Sequence, residues 1–300
     1  PQVFGASPYL GSAFIALLHL FAAYLLYRLA EDLMEPTAAL FCLALMLFSP
    51  WELLYADRIW ASNLAPVFGS VAMVAAWRAK EHEIWQVVLL CSVLILPQVH
   101  LSAPVLWAFC GALVFLRRPN NWSRRAVLLA IGITVLAYSP YLVVEIQSGF
   151  ENTRAIITRG TGTKSWSVAL SSAGMSWLYP VIYGSSEIIY HLEQGQWGEF
   201  ALAQADLSEA ARAQWFQKRG ALAGWAALAT MAACALGWIV ALARSKEIRP
   251  WVWASVAGVA AGSLLLLLAR KPFFPHYANV LMPGLLIAPA WGLSRVFRGS

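Results

Sequence analysis

The chain has 300 residues, of which 60% are hydrophobic and 12% charged, with 15 tryptophans and a positive mean hydropathy. That balance is too apolar for a water-soluble domain of this length and specifies a polytopic membrane protein. The formal charge of +6 lies in short Lys and Arg clusters between apolar runs, so it reads as a topology signal and not as a nucleic-acid surface.

Pro1 to Ser7 show neither an initiator methionine nor a signal-peptide pattern, and the chain reads as beginning partway through an external loop. With roughly 20 apolar residues per bilayer crossing, nine helices are expected. They lie near residues 8 to 28, 36 to 49, 64 to 78, 84 to 98, 101 to 116, 125 to 145, 220 to 243, 250 to 269 and 277 to 294. The predicted fold class is an all-α polytopic membrane protein. It divides into an N-terminal bundle of six helices (1–145), an external segment (146–218) and a C-terminal bundle of three helices (219–300). Cys42, Cys91, Cys110 and Cys234 sit inside apolar runs without pairing or metal-ligand spacing, as packed membrane-helix residues do.

Orientation follows from the basic residues of the short loops. One set of loops holds Arg28, Arg78, Lys80, Arg117, Arg118, Arg124, Arg125, Arg244, Lys246, Arg249, Arg295 and Arg298, whereas the opposite set holds Arg58, Arg270 and Lys271. The first set is assigned to the cytoplasm, with the C-terminus, in a bacterial inner membrane. The long segment then lies outside. Within it, "SWSVALSSAGMSWLYPVIYGSSEIIYHL" suits amphipathic helices at the interface, anchored by Trp166, Trp177, Tyr179 and Tyr183. "FALAQADLSEAARAQWFQKRG" reads as a polar helix leading into the next crossing.

Polar residues at membrane depth are costly, and here they gather at the external helix ends. In "WELLYADRIWASNLAP", Glu52, Asp57, Arg58 and Asn63 lie among aromatic residues. Either this is a surface loop with belt aromatics, or Asp57 and Arg58 face a cavity where the carboxylate binds a metal or hydroxyl and the guanidinium holds phosphate. His100, after Pro97, is either a capped turn or a hydrogen-bonding group at the cavity rim. Arg270 and Lys271 break the positive-inside pattern, which favours an anionic ligand such as a lipid phosphate over simple snorkelling. His276, Tyr277, Asn279 and Pro283 can line the same pocket. In "SPYLVVEIQSGFENTR", Glu145, Asn152 and Arg154 mark the exit of the chain from an apolar run. The sequence holds no Walker loop, dinucleotide glycine pattern, His-Glu-x-x-His or Gly-x-Ser-x-Gly.

Taken in order, five stretches resemble the multi-pass GT-C class of membrane glycosyltransferases, the group related to protein mannosyltransferases and the aminoarabinose lipid A transferase. They are "ASPYLGSAFIALLHLFAAYLLYRLAEDL", "FSPWELLYADRIWASNLAP", "LPQVHLSAP", "SPYLVVEIQSGFENTR" and "PHYANVLMPGLL". The resemblance implies a helical bundle with interfacial helices and a sugar donor on a polyprenyl phosphate embedded in membrane lipid. It implies an acid-position role for Asp57 or Glu52, with Arg58 beside it and a divalent metal ion possible at Asp57. Donor phosphate falls to Arg58, Arg270 and Lys271, and the pocket lining to His100, Glu145, Asn152, Arg154, His276 and Tyr277. For Glu145, Asn152 and Arg154, contact with sugar or acceptor stands beside a purely structural helix-end role. The class places its principal catalytic carboxylate in the first external loop, ahead of where this chain begins. Two explanations compete: a preceding portion supplies that acid, or the chain is a non-catalytic relative serving as a subunit of a membrane complex. A transporter of lipid-linked sugars is a third reading, weakened by the one-sided placement of polar residues.

Overall fold

The computed structural model describes residues 8–47, 64–100, 102–118, 122–160, 165–182, 209–244, 246, 248–270 and 280–297. Among these the secondary structure is all helix, without a strand. The helices are α1 (Pro8–Leu33), α2 (Pro36–Leu47), α3 (Ala65–Arg78), α4 (Glu83–Val99), α5 (Ala103–Arg117), α6 (Arg124–Gln147), α7 (Glu151–Gly160), α8 (Trp166–Ile182), α9 (Glu209–Arg244), α10 (Arg249–Ala269), α11 (Met282–Leu285) and α12 (Ile287–Phe297). Among the described residues three stretches, Leu10–Leu33, Arg124–Gln147 and Arg249–Ala269, are long and apolar enough to cross a membrane. Shorter apolar helices include α2, α4, α5 and the Leu228–Arg244 part of α9.

Helix is what apolar runs of this kind must form, because hydrocarbon offers no partner for backbone N–H and C=O groups. Proline occupies the first turn of α3, α5 and α10, where a missing N–H costs no helical bond. Proline inside a helix does free a carbonyl, and nearby side chains take it up. Pro97 in α4 leaves Val93 O without its i+4 donor, and the Trp107 indole donates to that oxygen at 2.7 Å. Pro140 in α6 does the same to Leu136 O, which accepts from Ser139 Oγ at 2.8 Å.

The core is aromatic at its centre and small at its crossings. Trp251 of α10 is fully buried, edge-on to Phe109 of α5 at 5.2 Å and to Trp77 of α3 at 6.1 Å. The last apolar run is broken in two, since α11 ends at Leu285 and α12 begins at Ile287, with Pro289 lacking an N–H in the first turn of α12. At the break the Trp251 indole donates to Gly284 O at 2.8 Å. Every residue from 280 to 293 is buried, so this interrupted segment runs through the middle of the bundle. Around it helices meet backbone to backbone. A Cβ built on Gly292 would lie 1.9 Å from Gly237 O, one on Gly237 would lie 2.3 Å from Pro289 O, and one on Gly69 would lie 2.0 Å from Val280 O. Membrane helices associate through close packing of this kind, because lipid is as apolar as their side chains.

One end of the bundle is tied together by basic and polar contacts. Arg78 pairs with Asp32 and lies over Trp85 at 5.6 Å, and Arg117 stacks on Trp77 at 3.3 Å. Gln86 donates to Ala79 O at 3.1 Å and accepts from Ser123 N at 2.9 Å, while Ser123 Oγ donates to Glu83 at 2.8 Å. The C-terminal ends of α1, α3 and α5 and the N-terminal ends of α4 and α6 therefore share this end. The Trp77–Trp251 contact adds the start of α10.

α8, from the segment expected to supply interfacial helices, packs antiparallel along α10. Its first residue, Trp166, meets Arg270 just past the end of α10, and ten residues on, Ser176 Oγ hydrogen bonds Ser263 Oγ. Ser263 Oγ also donates to Ala173 O at 3.3 Å. Ala169, Ser172, Ala173 and Ser176 are all buried, and their i, i+3, i+4, i+7 spacing makes a small-residue face that lets the two backbones approach.

Candidate functional site

The end opposite the basic network holds three of the residue groups expected to form a site. Helix direction places them at one end: α4 and α6 run in parallel away from the basic end, with Val87 packed on Ala126 and Ala130, and Tyr138 OH donating to Leu94 O at 3.0 Å. His100 and Glu145 thus lie at the same far end. α10 runs antiparallel to α5, as Val105 facing Gly262 and Phe109 facing Gly258 require, which brings Arg270 to that end too.

His100 is half-buried directly after α4. Its Nδ1 accepts from Ser102 N at 3.2 Å and lies 2.7 Å from Ser102 Oγ, and its carbonyl accepts from Ala103 N. Burial lowers its pKa from the ordinary value near 6.5, so the ring is neutral at pH 7 and keeps an acceptor nitrogen. The sequence reading of a capped turn is what these contacts describe.

Glu145 is the one acid in the last turn of α6, and its side chain is buried at 1% exposure. The carboxylate is turned onto the start of α7: Oε1 accepts from Asn152 Nδ2 at 2.6 Å, and Oε2 accepts from Thr153 N at 3.0 Å and Thr153 Oγ1 at 2.6 Å. A carboxylate on the free N–H groups of a helix start is favourable both as a cap and against the helix dipole. The chain can double back because Gly149 and Phe150 both adopt left-handed backbone, φ 65° and 63°, and Phe150 N donates to Glu145 O at 2.7 Å. Glu145 and Asn152 are therefore brought together as a locked elbow between α6 and α7. Arg154 is exposed on α7 beyond it. Thr153, which supplies two of these hydrogen bonds, carried no signal in the sequence.

That elbow makes a direct prediction. Glu145→Leu leaves the donors of Asn152 and Thr153 without their acceptor, so α7 is expected to fray and tryptic cleavage after Arg154 to accelerate roughly tenfold. Glu145→Gln, which retains an acceptor oxygen, is expected to show a smaller increase. Limited proteolysis followed by mass spectrometry checks this, and unchanged cleavage in Glu145→Leu would mean that something other than the carboxylate holds α7.

Arg270 caps α10 in a left-handed conformation, φ 48° and ψ 43°, with its N–H on the carbonyls of Leu266 and Leu267. Its guanidinium lies over the Trp166 ring at 4.4 Å from the centroid. Trp166 was expected to serve as an interfacial anchor, and its contact with Arg270 could not be read from two segments so far apart in the chain. Glu52, Asp57, Arg58, Lys271, His276 and Tyr277 lie outside the described residues. Among the described residues no group of three or more His, Cys, Asp or Glu side chains is arranged to hold a metal ion. The cysteines that are described are all free thiols; Cys42, Cys110 and Cys234 are buried, as their apolar settings predict.

No protein-family model, curated protein or solved structure matches the chain.

Proposed function

We propose that the chain is a membrane glycosyltransferase of the GT-C kind, moving a sugar from a polyprenyl-phosphate donor to an acceptor at the external face of a bacterial inner membrane. In this reading nine apolar segments cross the bilayer, and the basic end of the bundle faces the cytosol. The observation that carries it is the segregation of the two ends. Arginine-rich contacts gather at one, and His100, the Glu145 elbow and the Trp166–Arg270 pair gather at the other. Two cations adjacent in sequence, Arg270 and Lys271, stand where the positive-inside pattern disfavours them and where a lipid phosphate would sit.

The chemistry is a displacement at the anomeric carbon. An acid of the second external loop, Asp57 or Glu52, takes the acceptor hydroxyl proton as the new C–O bond forms. The old anomeric C–O bond breaks with its electron pair staying on the polyprenyl phosphate, whose charge Arg58, Arg270 and Lys271 stabilise. No step is assigned to a metal. A non-catalytic accessory subunit is the second reading, and Glu145 favours it, because this carboxylate spends its hydrogen bonds on its own chain and offers none to a substrate.

The test is transfer of radiolabelled sugar from a polyprenyl-phosphate donor in membranes containing the chain, with Asp57→Asn, Arg58→Ala and Lys271→Ala beside the wild type. Transfer by the wild type that falls in the variants is expected. Wild-type turnover in all three would remove the site assignment, and no transfer by membranes that hold the complete reading frame would favour the accessory subunit.

A further inference from the structure

We infer that Trp166 is a positioning residue for a phosphate-binding Arg270, so that α8, from the long segment between the two bundles, contributes one wall of the phosphate site. The inference rests on the phosphate role proposed above for Arg270, and adds a residue that nothing in the local sequence connects to it.

Three observations carry it. The first is the cation–π contact itself, with the Trp166 ring centroid 4.4 Å from the guanidinium carbon of Arg270, which holds the side chain against the indole. The N–H groups of a guanidinium lie in its plane and suit the two-point geometry in which arginine holds a phosphate. The ring also removes rotamer freedom that a long exposed side chain otherwise loses on binding.

The second is the backbone. Arg270 holds a left-handed cap, a conformation in which glycine is the ordinary choice because a Cβ is strained there. The cap needs only the backbone N–H that reaches Leu266 and Leu267. Arg118 ends α5 in a comparable left-handed cap, so the conformation marks Arg270 only together with the ring contact its side chain makes. The third is the register of α8. The Ser176–Ser263 and Ser263–Ala173 hydrogen bonds fix how far α8 slides along α10, and in that register its first residue comes level with the cap. Trp166 itself is 55% exposed, so the platform stands at the surface of the bundle, open to a headgroup.

The same chemistry serves a lipid-borne phosphate or a free one, and two probes separate them: farnesyl phosphate and inorganic phosphate. Binding of each to the purified full chain is measured by titration calorimetry in dodecyl maltoside micelles free of phospholipid. For farnesyl phosphate, Trp166→Ala is expected to weaken binding about five- to tenfold, and Trp166→Phe, which keeps a ring, to restore it to within about twofold. Arg270→Gln is expected to weaken it by about tenfold or more. Trp177→Ala, an exposed tryptophan on the same helix, is expected to bind as the wild type does. Weaker binding of inorganic phosphate than of farnesyl phosphate assigns the site to a lipid headgroup, and equal binding assigns it to free phosphate.

Wild-type affinity in Trp166→Ala or in Arg270→Gln overturns the inference, as does a Trp166→Phe as weak as Trp166→Ala, or no binding by the wild type. Thermal unfolding of each variant checks that the fold is retained. The outcome is separable from the transferase reading: ring-dependent binding without sugar transfer leaves the platform standing and removes the enzyme, whereas transfer with ring-independent binding does the reverse.

Discussion

Gly292→Ala is expected to destabilise the protein by about 3 kcal/mol or more, the upper part of the range for overpacking. The reason lies in what the added methyl meets. At Gly292 it would stand 1.9 Å from the carbonyl oxygen of Gly237, and the neighbouring crossing at Gly237 is closed by the backbone of Pro289. A side chain in the way can rotate, but a carbonyl belonging to a helix moves only with the whole helix. α9 and α12 must therefore separate, losing the close van der Waals contact between them. Gly132→Ala is the matched control: nothing lies within 4 Å of a Cβ there, and alanine in a helix interior is expected to be neutral or stabilising by up to about 1 kcal/mol. Thermal unfolding in detergent, read by a thiol-reactive dye on the buried cysteines, compares the two. Equal stability of both variants would mean that α9 and α12 do not cross through these glycines.

Trp251→Ala is expected to cost about 4 kcal/mol. The side chain is wholly buried, it fills the space between Phe109 and Trp77, and it satisfies a carbonyl at the break in the last apolar run. Truncation removes all three at once. Trp251→Phe separates them, since it retains most of the ring packing and leaves Gly284 O with the Leu286 N–H but without the indole donor; a cost of about 1 kcal/mol is expected from that loss alone. If Trp251→Phe proves as damaging as Trp251→Ala, the hydrogen bond dominates and the aromatic contacts are secondary. If it is neutral, the interrupted segment does not depend on Trp251 for its carbonyl.

Some of the candidate site was legible before any coordinates. His100 lies in the turn expected of it, and Glu145 and Asn152 are close, as their nearness in "VVEIQSGFENTR" suggested. What the carboxylate does there was not legible, because the decision depends on two left-handed residues, Gly149 and Phe150, that reverse the chain and turn the acid back onto Thr153. Phenylalanine is not a residue from which positive φ is anticipated. The pairing of Trp166 with Arg270 was equally hidden, since each is locally explained, one as a belt aromatic and the other as an interfacial cation.

Where the chain is helical was decided by its composition. In hydrocarbon an apolar run cannot leave its backbone unsatisfied, so "GSAFIALLHLFAAYLLYRLA" or "SVAGVAAGSLLLLLA" is held to helix there, and most described helices begin and end within a few residues of the expected runs. α7 was not expected, and the last run, expected unbroken, is described as α11 and α12. Which helices touch, and along which faces, was left to the tertiary structure. Inside a membrane apolarity does not discriminate one helix face from another, so the choice falls to small residues and single hydrogen bonds: Gly237 against Gly292, Ser176 against Ser263, Trp251 on Gly284 O. Those partners come from distant parts of the chain, and no local pattern of residues pairs them. That is why the packing of α8 along α10 could not be anticipated from either segment alone.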